Sequence, residues 1–587
     1  MPNQFAVTFE RNIEIPMRDG IILRADVYRP AASGQYPVLV ARLPYDKTNL
    51  ALIGIAIDPP RAAGQGYVVV LQDTRGRCAS DGTFTCFQDD VDDGYDTVEW
   101  LAAQPWSNGN VGMFGASYFG YTQWLAAIAA PPHLKAICPN VSTSDAHESW
   151  VYQGGAFAFG FNTSWPMAFL NADEIAHNSA ASPEEKQQRA STLVQMIDRM
   201  SMYFSHLPVK DFPPFRDLGV APYYQDWVAH PDWDDYWQRI SIDANRSKVR
   251  VPAYSIGGWW DVFLGGTLRN FTDTQQHGAT EEARKGQKLL VGPWLHGFPF
   301  HADPTGEARH GLASSGVVID EIGIMLRFFD YWLKGIDNGI ASEPPVRLFV
   351  MGDNVWRDEW EWPLARTQYT EYYFHSSGGA NSASGNGSLS TEPPSSGEPS
   401  DSYLYDPRNP VPTRGGDLCC WDLELPPGAF DQRAIEARQD VLVYTTPQLE
   451  KDLEVTGPIT VTLFASSLAR DTDFTGKLVD VLPDGYARNL TEGIIRARYR
   501  EGMDRQRLLT PGEVNEYTID LWATSNVFKA GHRLRVEISS SNFPRFDRNP
   551  NTGHDFGQDD VLERAVQEVF HDASHPSRII LPVIPRA

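Results

Sequence analysis

A chain of 587 residues is too long for one hydrophobic core, so two to four domains are expected. With 42% hydrophobic and 21% charged residues it has the balance of a globular protein, and a net charge of −25 excludes nucleic acid and anionic membrane surfaces as partners. No stretch approaches the roughly 18 consecutive apolar residues of a membrane span, so no membrane association is expected.

In chain order, IEIPMRDGIILRADVYRP reads as a hairpin turning at Asp19-Gly20, and YPVLVARLPY (36–45) and GYVVVLQDTRG (66–76) read as strands. DDVDDGYDTVEWLAAQ (89–104) is a helix whose acidic front faces the positive end of its own dipole. NVGMFG is a short strand, SYFGYTQWLAAIAA a helix of small residues, and LKAICPNVS a further strand. This alternation predicts a mostly parallel sheet covered on both faces. The first α/β part is placed at 1–144. From 145 to 240 the character turns helical and aromatic, which predicts an inserted cap. The α/β pattern resumes over 241–352 with VRVPAYSIGGWWD, KLLVGPWLHG and the amphipathic IDEIGIMLRFFDYWLKGI. Over 353–587 strand-like stretches separated by Gly, Pro and Asp turns predict an all-β sandwich or jelly roll. The polar, low-complexity segment 376–402 has the composition of an interdomain linker, but with strand-like stretches on both sides it reads better as a mobile surface loop inside the β domain.

Gly115-Ala116-Ser117-Tyr118-Phe119-Gly120 matches Gly-x-Ser-x-x-Gly at a strand-to-helix junction. Such a turn can hold a serine hydroxyl above a parallel sheet, with the Tyr118 N–H at a helix start beside it. A serine nucleophile needs a base and an orienting carboxylate. Asp261, at the end of AYSIGGWWD, and His296, at the end of LLVGPWLHG, follow in that order, each just beyond a predicted strand. As plain structure, Ser117 would be turn punctuation and Asp261 a helix cap. His571 and His575 have the i,i+4 spacing of a ligand pair but no further ligand signature, so neither metal nor cofactor is expected. Cys78, Cys86, Cys138, Cys419 and Cys420 form no regular framework, and the N-terminus shows no basic stretch followed by an apolar run. Incidental thiols and a cytoplasmic location are the expectation.

PMRDG, RLPYDK, QDTRGRCASDG, NVGMFGASYFG, GGWWDVF, LLVGPWLHG, VRLFVMG and ATSNVFKAGHRLRVEISSSNFPRFDRNPNTG together resemble the cocaine esterase and X-prolyl dipeptidyl-peptidase group of α/β-hydrolases, over nearly the whole chain. The resemblance implies a hydrolase fold with an inserted helical cap and a C-terminal jelly roll. It implies Ser117 as nucleophile, His296 as base and acid, and Asp261 as its orienting partner. It also points to Tyr45 of RLPYDK as a second oxyanion donor beside the Tyr118 amide. Trp150, Trp165 and Phe263 fall where esterase members carry the aromatics of an acyl pocket, whereas Cys419-Cys420 stand where bulky apolar residues align. Asp145, Glu148, Asp173 and Glu174 in the cap are weighed as holders of a substrate ammonium, and read better as a solvated helix face. The expected reaction is hydrolysis of a small-molecule ester through an acyl-enzyme. Amide or peptide cleavage on the same fold is the alternative, and a homodimer is left open.

Overall fold

The computed structural model describes residues 5–53, 56–296, 301–420 and 424–586. Six strands come first: β1 (Val7–Pro16), β2 (Ile22–Pro30), β3 (Tyr36–Leu43), β4 (Val68–Asp73), β5 (Ser107–Ala116) and β6 (Leu134–Asn140). A small hairpin, β7 (Tyr152–Gln153) and β8 (Ala156–Phe157), lies apart from them. Then follow β9 (Tyr254–Trp260), β10 (Lys288–Leu295), β11 (Val346–Val350) and β12 (Val355–Glu359). All but the hairpin join one ten-stranded sheet in the order β1-β2-β4-β3-β5-β6-β9-β10-β11-β12. Pairing is parallel from β4 to β11 and antiparallel at both edges. β12 carries this sheet past residue 352 to Glu359.

Side-chain alternation sorts the strands between two cores. Val38 and Val40 of β3 face the core that holds Val98, Leu101 and Tyr121, while Leu39, Ala41 and Leu43 face the core that holds Met325, Phe328 and Leu333. All six residues of β4 are buried, as a central parallel strand covered on both faces must be. The carboxylates that open the helix Asp90–Ala102 do more than face its dipole. Asp90 lies 3.1 Å from Arg42, Asp93 2.6 Å from Arg75, and Asp92 and Asp96 each 2.8 Å from Arg18.

Between Asn140 and Tyr254 the chain leaves the sheet and forms helices at Phe159–Phe169, Asn171–His177, Pro183–Ile197 and Pro222–Ala229. The third starts where its residues dictate: Ser182 and Glu185 make a reciprocal capping box, with Pro183 at the first helical position. Trp150, Trp165, Trp227 and Trp237 of this segment share the core of one sheet face, so the cap is fused to the sheet by aromatic burial.

A second, mostly antiparallel sheet of eleven strands occupies Gln368 to Ile584. The segment 376–402 is no mobile loop. Its strand Ser388–Ser390 pairs with Gln368–His375 and with Leu442–Thr445, and Ala380 and Leu389 are buried in the core beneath. Two apolar anchors hold what composition alone reads as a tether. A further core joins Trp259, Trp260, Leu289 and Val291 of the first sheet to Leu463, Leu521 and Trp522 of the second, so the β domain packs directly on the hydrolase domain. The architecture is an α/β-hydrolase fold with an inserted helical cap and a C-terminal jelly-roll β domain. No described helix is long and apolar enough to cross a membrane.

Candidate active site

Ser117 stands between β5, which ends at Ala116, and a helix that begins at Tyr118. Its φ of 59° and ψ of −123° lie outside the favoured regions, a strain of about 1–3 kcal/mol that the surroundings must hold. The Ser117 N–H donates to the Asn140 carbonyl at 3.0 Å, which ties the turn to the end of β6. The flanking glycines are steric necessities. At Gly115 (φ 137°) a Cβ would come 2.0 Å from the Phe119 ring, and at Gly120 it would meet the Asn140 carbonyl oxygen at 2.7 Å.

β9 ends at Trp260 with Asp261 directly after it, and β10 ends at Leu295 with His296 directly after it. Because β5, β6, β9 and β10 run parallel, their C-terminal ends bring the three side chains to one edge. His296 Nε2 lies 3.0 Å from Ser117 Oγ, and His296 Nδ1 lies 2.7 Å from Asp261 Oδ1. The fully buried Asp261 carboxylate also accepts the Phe263 N–H at 3.1 Å, which fixes its orientation. With Nδ1 donating to the carboxylate, Nε2 presents its lone pair to the serine hydroxyl; this tautomer is assigned from the partners.

Tyr45 lies just beyond β3 and is half-buried. Its hydroxyl accepts a hydrogen bond from Trp165 Nε1 at 2.9 Å. Burial of the hydroxyl pushes its pKa up, so the phenol keeps its proton. Tyr118 divides its groups between two tasks. Its N–H belongs to the first turn of a helix, where the intrahelical ladder leaves amides unclaimed. Its hydroxyl points away, donating to Asp90 at 2.7 Å and accepting the Phe87 N–H at 3.1 Å. Burial, then the neighbouring Asp90, raise the Tyr118 pKa well above the usual phenol value.

The three predicted pocket aromatics come together. Trp150 and Phe263 stack with ring centroids 4.4 Å apart, Trp165 meets Trp150 edge-on at 5.1 Å, and the Phe263 ring stands edge-on to His296 at 4.9 Å. Sequence reasoning missed Phe161, which packs against Trp150 at 5.4 Å and Phe263 at 5.7 Å. Its i,i+4 spacing to Trp165 on the helix Phe159–Phe169 was the available signal. Phe169, edge-on to Tyr45 at 6.0 Å, was missed as well.

The cysteine expectation needs correction. Cys419 and Cys420 are not incidental thiols but are joined to each other in a disulfide. Cys419 pairs with His296 in an isolated parallel bridge and belongs to the same apolar core as Trp150, Trp165 and Phe263. Adjacent cysteines look like chance in a sequence without other pairs. Cys78, Cys86 and Cys138 are free thiols, and burial raises the pKa of all three. Asp417, two residues before Cys419, is buried, and among the described residues neither carboxylate oxygen has a hydrogen-bond partner; Arg545 lies 3.8 Å away, and burial pushes the Asp417 pKa well up.

The cap carboxylates are all engaged within the fold. Asp145 accepts from Ser241 and from Trp233 Nε1, and Glu148 lies 3.1 Å from His147. Asp173 and Glu174 lie 3.3 Å and 3.5 Å from Arg77. They are spent on ion pairs and buried hydrogen bonds rather than on a solvated face.

Residues 19–298 match the X-Pro dipeptidyl-peptidase (S15) family model, and residues 338–580 match the X-Pro dipeptidyl-peptidase C-terminal non-catalytic domain. A cocaine esterase from Rhodococcus sp. (strain MB1 Bresler) is 42% identical over 583 residues, 98% of each chain. The chain belongs to the X-Pro dipeptidyl-peptidase (S15) family. That membership makes it a serine hydrolase. Among solved structures of similar architecture, an aminopeptidase from a marine sediment archaeon, Thaumarchaeota archaeon, superposes with a TM-score of 0.79 at 27% identity, covering 99% of this chain and 97% of that one. An α-amino acid ester hydrolase superposes with a TM-score of 0.80 at 25% identity and the same coverage. Relatives named for esters and for peptides thus share one architecture with this chain.

Proposed function

We propose that the protein is a serine carboxylic-ester hydrolase that works through an acyl-enzyme and accepts an aromatic or bulky apolar acyl group. One observation carries this reading: His296 bridges Ser117 and Asp261 through opposite ring nitrogens, at 3.0 Å and 2.7 Å. His296 takes the Ser117 proton as the serine oxygen attacks the ester carbonyl, and Asp261 stabilises the imidazolium that forms. The Tyr118 N–H and the Tyr45 hydroxyl bind the tetrahedral oxyanion. Trp165 donates to the Tyr45 oxygen, which leaves the Tyr45 proton free for this bond. His296 then gives its proton to the leaving alcohol, and next activates the water that releases the acid. Trp150, Trp165 and Phe263, with Cys419-Cys420 from the β domain, line the acyl side.

The 42%-identical cocaine esterase supports ester over amide chemistry. The engagement of Asp145, Glu148, Asp173 and Glu174 within the cap supports it too, because none of them is left over for a substrate ammonium. The test is a panel of aryl esters, α-amino esters and Xaa-Pro anilides, run beside active-site titration with an organophosphonate. Stoichiometric labelling at Ser117 with aryl esters as preferred substrates is expected. Preference for the anilides, or labelling elsewhere than Ser117, overturns the proposal.

A further inference from the structure

Cys419 and Cys420 are joined side chain to side chain across one peptide bond. In extended backbone, successive side chains point to opposite faces. The disulfide instead gathers both sulfurs on one side, and Cys420 takes a left-handed φ of 73°, which non-glycine residues rarely adopt. The location makes this ring more than a local oddity. Cys419 is bridged through its backbone to His296 and buried among the residues that pack around Trp150, Trp165 and Phe263, and Cys420 packs against the same cluster. Cys419 also lines, with Trp150, Phe161, Val262 and Asp417, a cavity of about 20 Å³, into which a displaced side chain could move.

We propose that the Cys419–Cys420 pair is a reversible modification site in the acyl-pocket wall, opened by dithiol reductants, and that its redox state sets which acyl groups the enzyme accepts. The inference rests on the esterase reading above. One thiolate of the reductant attacks a cysteine sulfur, breaking the S–S bond and forming a mixed disulfide. Its second thiolate then displaces the cysteine. Two electrons and two protons end on the cysteine pair, and the reductant leaves as a cyclic disulfide. Once open, the two side chains regain separate rotamers and the backbone is freed from the left-handed conformation, so the wall beside His296 recedes. Bulky acyl groups gain most from that change, small ones least. A shift of about tenfold in the selectivity between them is expected, the size of effect that a methylene or two makes in an apolar pocket.

The full-length protein is first denatured and alkylated with iodoacetamide, with and without prior dithiothreitol, and mapped by peptide mass. The expected result is alkylation of Cys419 and Cys420 only after reduction; alkylation of both without reductant overturns the proposal. Native enzyme, reduced with dithiothreitol and then desalted, is next compared with untreated enzyme on 4-nitrophenyl benzoate and 4-nitrophenyl acetate. The ratio of kcat/KM values should move about tenfold towards benzoate, and a Cys419→Ser/Cys420→Ser variant should show the shifted ratio whether or not dithiothreitol is used. An unchanged ratio in enzyme that the map shows to be reduced overturns the gate alone. Hydrolysis of neither ester overturns the esterase reading and the gate with it.

Discussion

At Ser117 a histidine stands between serine and carboxylate; at Ser376, in the β domain, the carboxylate stands between serine and histidine. Ser376 Oγ lies 2.7 Å and 2.8 Å from the two oxygens of Asp401 and 3.2 Å from His571 Nε2, and that same Nε2 lies 2.9 Å from Asp401 Oδ2. Serine and carboxylate therefore converge on one ring nitrogen. The serine proton already has an ionised acceptor in Asp401, and the other ring nitrogen of His571, Nδ1, faces Glu398 at 3.5 Å instead of the serine. Asp401 accepts as well from the Ala380 N–H and the Tyr444 hydroxyl, each at 2.9 Å. This second group is a clasp that pins the low-complexity segment to the sheet. The same three residue types make the proposed catalytic relay in one place and a fastening in the other, and the difference lies in which nitrogen meets which oxygen.

Substitutions can sharpen that contrast, and the largest effects belong at Ser117. Ser117→Ala should lower kcat for an aryl ester by about 10⁶, as loss of a serine nucleophile does elsewhere, with the fold intact by circular dichroism. Asp261→Asn keeps the shape but removes the carboxylate that fixes the imidazole tautomer, so a loss of about 10⁴ in kcat is expected. Tyr45→Phe deletes one oxyanion donor and should cost about 10²–10³ in kcat with little change in KM. Turnover near the wild-type rate in that variant removes the Tyr45 hydroxyl from the mechanism.

The sequence made the strand ends legible and left the cross-domain contacts obscure. Ser117, Asp261 and His296 each follow an apolar run that reads as a buried strand, and parallel strands deliver such residues to one edge. Gly115 and Gly120 were visible as punctuation, but the Phe119 ring and the Asn140 carbonyl that forbid a Cβ there are tertiary facts. Tyr45 carries no local signature; only the family resemblance drew attention to it. Phe161, Asp417 and the Cys419–Cys420 bond take their meaning from the meeting of cap, sheet and β domain, which no periodicity encodes. Segment 376–402 misled for the opposite reason. Its composition is that of a linker, and the groups that anchor it, among them Ser376, Ala380, Asn381, Leu389 and Asp401, are scattered through polar residues without a periodic pattern.

The β-domain clasp supplies the smaller effects. Asp401→Asn should leave kcat and KM for aryl esters unchanged while lowering unfolding stability by about 3 kcal/mol, the scale of one or two charge-assisted hydrogen bonds. Although burial opposes ionisation, the donors His571, the Ala380 amide, Ser376 and Tyr444 hold the Asp401 pKa below the usual carboxylate value. Stability from a carboxylate depressed in this way is present above the unfolded-chain pKa of about 3.9 and is lost as pH falls through the lower folded value. Denaturant titrations should therefore show wild type and Asp401→Asn converging in acid and separating towards neutrality. Ser376→Ala comes last. It removes one hydroxyl donor from an Asp401 that keeps three others, so about 1 kcal/mol of stability and no turnover should be lost. Ser376→Ala enzyme that titrates fully with organophosphonate keeps the two groups apart in function. A fall in titratable sites would mean that Ser376, despite sharing its nitrogen with Asp401, is itself a nucleophile, and that the choice of ring nitrogen does not separate relay from clasp.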